Sequence, residues 1–347
     1  MLASGMRDEA LTAALLDGKV AALARAVSIV ENGRRGFEEL LAGLHSRLGR
    51  ARRIGLTGPP GAGKSTLIER LVGAFRAEGL RVGVVAVDPT SPFTGGALLG
   101  DRIRMERVAL DPGVYIRSMA TRGSLGGLAT ATREVCDVLD AAGFDRIIVE
   151  TVGVGQSELD VTRMADTTLL VLVPESGDGI QTLKSGVIEA ADLFVINKAD
   201  RPGAEKLRRE LELSLDLRLG RASRHVPAHH GVSKSRTTVP VADDSGWRPV
   251  VRVATAVTGE GIPELIAGLD EQWQWLVSSG VLDERRRARV AQRTRDVVER
   301  AMRHWVWHES HAEEMITSRL DDLAAGRVSP YELAADIVAG LKEGARV

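Results

Sequence analysis

Cysteine is almost missing from this chain: Cys136 is the only one in 347 residues. A single thiol excludes an intramolecular disulfide framework and any Cys-x-x-Cys metal site, and it fits a reducing cytosol. Long apolar runs are missing as well. No stretch approaches the ~18 uninterrupted apolar residues of a membrane helix, and the N-terminus sets Arg7, Asp8, Glu9, Asp17 and Lys19 among its apolar residues instead of a leader pattern. The expectation is a soluble, unprocessed, cytoplasmic protein with no membrane partner. Charge of one sign is also lacking. With 46 basic residues against 47 acidic ones, no broad field favours nucleic acid as the ligand. The cluster Arg285-Arg286-Arg287 reads as the solvated face of a helix.

What is present starts with size. The length exceeds the roughly 100 to 200 residues of one domain, and a 44% hydrophobic share supports a sizeable core. From Glu9 to Glu31, Leu11, Leu15, Leu16, Val20, Leu23, Val27 and Val30 recur near helical spacing, with Asn32-Gly33 as the stop signal. A second helical piece runs from Phe37 to Leu48. Strands and helices then alternate: strands at Ile54–Thr57, Val82–Val87, Ile147–Val149, Leu169–Val173, Leu193–Ile196 and Val250–Ala254, helices at Lys64–Glu78 and around Leu128–Ala142 and Thr182–Ala191. Strands that are almost continuously apolar imply an α/β fold, a mainly parallel sheet covered by helices on both faces. Beyond Gly280 the pattern is helical, with Asp283 to Glu309 free of proline and glycine. The expected organisation is an N-terminal helical extension over 1–49, an α/β domain over 50–272 and a C-terminal helical dimerisation arm over 273–347.

Thr57-Gly58-Pro59-Pro60-Gly61-Ala62-Gly63-Lys64-Ser65-Thr66 carries the phosphate-loop pattern G-x-x-x-x-G-K-[ST], with an apolar strand before it and helix formers after it. The glycines turn backbone N–H groups around a polyphosphate, and the following helix adds its positive N-terminal end. Lys64 reaches the β- and γ-phosphates, and Ser65 offers a hydroxyl to Mg²⁺. Each further motif follows a strand. Asp88 ends the second strand before Pro89-Thr90-Ser91, and Asp101 follows the glycine-rich Gly95–Gly100 stretch. Glu150 ends the strand beside the phosphate-loop strand, placed to hold magnesium, and Gly153 can turn an N–H toward the γ-phosphate. Gln156 is the candidate for orienting the attacking water.

Asn197-Lys198-Ala199-Asp200 is an N-K-x-D sequence directly after an apolar strand. A carboxylate at Asp200 can accept from guanine N1–H and the 2-amino group, a donor pair that adenine lacks. Lys198 would lie along the base and Asn197 would brace the loop. Thr255, Ala256 and Val257, after the last strand, would add backbone N–H contacts. The nucleotide expected is therefore GTP, hydrolysed to GDP, with Mg²⁺.

Taken together these motifs resemble the MeaB family of GTPases, also known as ArgK, which assist adenosylcobalamin-dependent methylmalonyl-CoA mutase. The resemblance rests on residues 58–66, Asp88–Ser91, Gly95-Gly96, Gly100–Arg102, Gly123–Leu128, Glu150–Glu158 and Asn197–Asp200, and it extends through the flanking helices. It implies a P-loop NTPase fold in which Ser65, Asp88, Asp101 and Glu150 form the magnesium and switch constellation. It also implies that Pro174–Lys184, with Glu175, Asp178 and Lys184, is an additional switch loop facing the mutase, and that the protein is a homodimer. The segment Arg221–Trp247 departs from the family pattern.

His225, His229 and His230 fall in that segment, but Pro227 and Gly231 interrupt a helix and no cysteine or carboxylate partner is close, so an exposed loop is the reading. Trp273 with Trp275, and Trp305 with Trp307, read as core or interface anchors. Two other functions share the motifs: a nickel-insertion GTPase for hydrogenase or urease, against which a lone cysteine argues, and a small-molecule or protein kinase, which would need a phosphoacceptor site.

Overall fold

The computed structural model describes residues 2–88, 105–120, 125–151, 157–176, 185–218 and 246–344. Two compact units divide the chain, 1–282 and 283–347. The first is built on a seven-stranded sheet in the order β3-β2-β4-β1-β5-β6-β7, every pairing parallel. The strands are β1 (Arg52–Thr57), β2 (Val82–Asp88), β3 (Val114–Ala120), β4 (Arg146–Thr151), β5 (Thr167–Leu172), β6 (Leu193–Ile196) and β7 (Val250–Val253). The helices are α1 (Leu2–Leu16), α2 (Val20–Glu31), α3 (Phe37–Leu44), α4 (Lys64–Ala77), α5 (Glu106–Ala109), α6 (Leu125–Ala141), α7 (Ser157–Met164), α8 (Ser185–Ala190), α9 (Ala204–Arg218) and α10 (Ile262–Ser278).

Successive strand residues serve opposite faces. Leu169 and Val171 of β5 join α4 and α10 in one core with Leu67, Leu71, Phe75, Leu265 and Leu269, while Leu170 and Leu172 join Leu207, Leu211 and Leu215 of α9 in another. Burial on both faces is why β5 is apolar from Leu169 to Leu172. A third core packs α1, α2 and α3 on α6 through Leu23, Val27, Leu40 and Leu44 against Val135, Val138 and Leu139. The N-terminal extension is thereby part of the nucleotide unit, and Arg117 of β3 adds an ion pair to Glu31 of α2.

Two features differ from the sequence pattern. The helix expected from Glu9 to Glu31 is two, because Gly18 adopts φ 78° and the N–H groups of Gly18 and Lys19 turn back to Leu15 and Ala14. The strand β3 is the other. It sits at the sheet edge, where Tyr115, Arg117 and Ser118 are only half-buried, and Arg117 and Ser118 interrupt its hydrophobic pattern.

Carboxylates at the strand starts set the register. Asp145, Asp166 and Asp192 each accept a backbone N–H from the neighbouring strand's first residues, from Arg81 at 2.7 Å, Arg53 at 3.0 Å and Thr168 at 2.8 Å. Asp140 on α6 goes further and accepts the N–H groups of Gly49, Arg50 and Ala51 at 2.8, 3.1 and 3.0 Å. The Arg53 guanidinium neutralises it at 3.0 Å and reaches Asp137 at 2.8 Å. This buried clamp fixes the entry of the chain into β1. Three tryptophans act as packing groups: Trp273 lies under the Arg52 guanidinium at 4.7 Å, and Trp275 meets Trp247, whose indole N–H donates to the Asp192 carbonyl at 2.8 Å, while Trp307 is exposed.

The second unit is helical. Its long helix, α11 (Val281–His304), passes into a π-helical turn at Trp305–Glu309 and is followed by α12 (Ala312–Ser318), α13 (Leu320–Ala324) and α14 (Pro330–Gly344). Ala312, Leu333 and Ile337 form its small core. Along α11, Val290, Val297, Val298 and Met302 are exposed.

Candidate functional site

The site lies at the carboxyl ends of β1, β4, β6 and β7, where ligands of open parallel sheets bind. β1 delivers Thr57 into a turn in which Gly58, Gly61 and Gly63 have φ of 143°, 76° and 83°. A Cβ at Gly58 would stand 2.1 Å from the Val171 carbonyl oxygen, and one at Gly63 would stand 2.5 Å from Asn197 Nδ2. Only glycine fits at either place. The loop therefore lies against β5 and against the residue that follows β6, and α4 begins at Lys64 immediately after it. The backbone N–H groups of this turn and the positive end of the helix make an anion site there.

Lys64 is buried, and its ammonium donates to the carbonyls of Gly58 at 2.8 Å and Pro59 at 3.1 Å. Ser65 Oγ donates to Glu150 Oε1 at 3.0 Å, with both side chains buried. The parallel pairing of β1 and β4 brings them together, since it sets Leu56 opposite Glu150. A hydroxyl and a carboxylate are hard oxygen donors of the kind Mg²⁺ takes, so this pair fits that ion. Ala62 is buried and Thr66 half-buried on the same turn.

Asn197 is the hub of the base side. Its Nδ2 donates to the Ala62 carbonyl at 2.8 Å, and its Oδ1 accepts the Ala256 N–H at 3.0 Å. One buried amide thus ties the phosphate loop to the loop after β7. Lys198 has φ 57°, the only positive value among described non-glycine residues, and its Nζ donates to the Gly61 carbonyl at 2.7 Å. Asp200 is exposed at the rim. Thr255 closes the loop after β7 by donating its N–H to the Glu260 carbonyl at 2.9 Å, while Val257 is exposed.

Glu175 stands in the short turn Pro174–Ser176 after β5 and pairs with Arg201, which follows Asp200. The hydrogen bond from Arg201 holds the Glu175 carboxyl below the usual range. Of the remaining candidates, Asp88 closes β2 opposite Ala120. Its side chain, and Asp101, Gly153, Gln156, Asp178, Lys184 and the three histidines of 225–230, lie outside the described residues. One participant escaped the motifs. Arg70 of α4 donates to the carbonyls of Ala256 and Val257, and nothing in the local sequence marks it beyond its position on the helix that follows the phosphate loop.

A sequence model of the family described as "Methylmalonyl Co-A mutase-associated GTPase MeaB" matches residues 23–311. The chain belongs to the MeaB family. Like its relatives it is a GTPase of P-loop fold. A putative GTPase of Pyrococcus abyssi is 50% identical over 277 residues, 80% of this chain and 79% of that protein. The mouse protein named methylmalonic aciduria type A homolog, mitochondrial, is 35% identical over 93% of this MeaB-family chain and 77% of its own length. Among solved structures, one titled LAO/AO transport system kinase superposes with a TM-score of 0.65 at 26% identity, covering 96% of this chain and 97% of that one.

Proposed function

We propose that this protein is a guide GTPase, a metallochaperone in which GTP binding and hydrolysis gate adenosylcobalamin delivery to, and protection of, methylmalonyl-CoA mutase or a related acyl-CoA mutase. The observation that carries the reading is the family match over 23–311, whose description names association with that mutase. The name of the mouse relative agrees with it.

In this reading the phosphates lie on the N–H groups of residues 58–66 and on Lys64, and guanine lies between Lys198 and the loop 255–257, with Asp200 at its N1 edge. Ser65 and Glu150 would hold Mg²⁺, with Asp88 and Asp101 completing the switch constellation and Gly153 and Gln156 facing the γ-phosphate. When bound, the ion neutralises charge on the β- and γ-oxygens during transfer. The protein works in the cytoplasm as a homodimer joined by its C-terminal arm, and the loop 174–184 meets the mutase through Glu175, Asp178 and Lys184.

The nickel-insertion alternative needs Cys/His metal ligands at its dimer interface, and a lone cysteine argues against it. Cys136 is fully buried in an apolar core, and burial pushes its thiol up to about 12. A kinase reading needs a phosphoacceptor, and no residue is nominated for one. Size-exclusion chromatography with the mutase of the same cell, in GDP and in a non-hydrolysable GTP analogue, tests the reading. A complex whose stability depends on the nucleotide supports it, and no complex with either nucleotide contradicts it. Truncation after Leu282 tests the arm: a monomer that still binds nucleotide is expected, and a persisting dimer places the interface elsewhere.

A further inference from the structure

Arg70 leaves α4 six residues after Lys64 and spends its planar fork on two successive carbonyls of the loop after β7. Nε donates to the Ala256 oxygen at 2.8 Å and Nη2 to the Val257 oxygen. The turn at Gly259, φ 90°, lies in van der Waals range of the same group, 3.9 Å from Cζ to where a Cβ would stand.

The N–H groups of this loop are nearly all taken. Ala254 donates to Ile196, Thr255 to Glu260, Thr258 and Gly259 to Thr255, Ala256 to Asn197 Oδ1, and Glu260 to Thr258 Oγ1. From 254 to 260, the Val257 N–H alone has no hydrogen bond among the described residues, and Val257 is 74% exposed. That N–H shares one planar peptide with the Ala256 carbonyl, and the described chain contains no cis peptide. In a trans peptide the C=O and N–H point in opposite directions. Anchoring the oxygen on Arg70 therefore aims the Val257 hydrogen away from α4, and a charge-assisted bond at the oxygen makes the N–H a better donor. Asn197 fixes the preceding peptide in the same way through the Ala256 N–H.

We infer that Arg70 is a positioning residue for base selection, presenting the Val257 N–H to the 6-keto oxygen of a bound purine. The inference rests on the guanine site proposed above and assigns its specificity to two separate devices. Asp200 reads the N1–H and 2-amino edge; the Arg70-oriented peptide reads the keto oxygen.

Isothermal titration of the full chain with GDP, IDP and 6-thio-GDP tests this, using the native protein and Arg70→Ala. The thio analogue keeps N1–H and the 2-amino group but replaces the keto oxygen with sulfur, a weak acceptor. Arg70→Ala should weaken GDP and IDP by the same factor, roughly tenfold, while 6-thio-GDP changes by less than about twofold. Arg70→Lys keeps the charge but cannot bridge both carbonyls; it should give the same ordering with a smaller GDP loss, and it serves if the alanine variant does not fold. Equal weakening of all three nucleotides, or unchanged GDP affinity, overturns the inference. A native protein that binds GDP no more tightly than ADP overturns the guanine reading instead, so the two failures are distinct.

Discussion

Ser65 Oγ donates a hydrogen bond to Glu150 Oε1 at 3.0 Å, joining the first turn of the phosphate-loop helix to the tip of the neighbouring strand. These residues are 85 positions apart in sequence, and only the parallel pairing of β1 with β4 makes them neighbours. Glu150→Ala removes one of the oxygen groups proposed to hold Mg²⁺. Hydrolysis should fall by at least about a hundredfold, because charge stabilisation on the transferring phosphoryl is lost, while GDP affinity falls much less. Single-turnover kinetics beside equilibrium binding separate the effects. Full turnover by the variant would remove Glu150 from the site.

Asp200 supplies acceptors only, and asparagine at that place supplies an amide donor as well. Asp200→Asn should therefore cost GTP most of its affinity and create binding of xanthosine triphosphate, whose 2-keto group replaces the amino group. Competition titrations with both nucleotides report the exchange. Retention of GTP preference in the variant would show that another group reads the base edge.

The Asp140 clamp is a test of stability. Its carboxylate is fully buried and serves three backbone N–H groups and the Arg53 guanidinium. Asp140→Ala removes those hydrogen bonds and leaves Asp137 as the remaining carboxylate for Arg53, a loss of roughly 2–3 kcal/mol by the usual worth of buried hydrogen bonds to a charged group. Urea unfolding should show the midpoint drop with little change in slope. A loss below about 1 kcal/mol, the size of an exposed pair, would mean that water replaces the carboxylate.

The alternating fold was legible because parallel strands buried on both faces must be largely apolar, as Leu169–Leu172 of β5 and the whole of β6 are. The phosphate loop and Asn197–Asp200 were legible because each motif is continuous in sequence. The break at Gly18 was readable in principle, since Asp17-Gly18 is a stop signal that the surrounding helical spacing masked. Other features carry no local signal. Arg70 meets Ala256 across 186 positions, and Asp166 meets Arg53 across 113. An arginine on a helix and an aspartate before a strand are ordinary surface residues until the topology sets their partners beside them. For the same reason, Asn197 could be read as a brace from its motif, whereas the atoms it braces could not.

Control of this GTPase by an acyl-CoA mutase is measurable as a rate. The sequence marks no arginine as a cis finger, so intrinsic hydrolysis should be slow. Single-turnover GTP hydrolysis with and without the cognate acyl-CoA mutase measures the coupling directly, with Lys184→Ala as the comparison. The mutase should accelerate hydrolysis at least tenfold, about 1.4 kcal/mol of barrier, and Lys184→Ala should lose that acceleration while the basal rate and GTP affinity stay close to native. A hydrolysis rate that the mutase leaves unchanged would mean that the mutase does not control this GTPase.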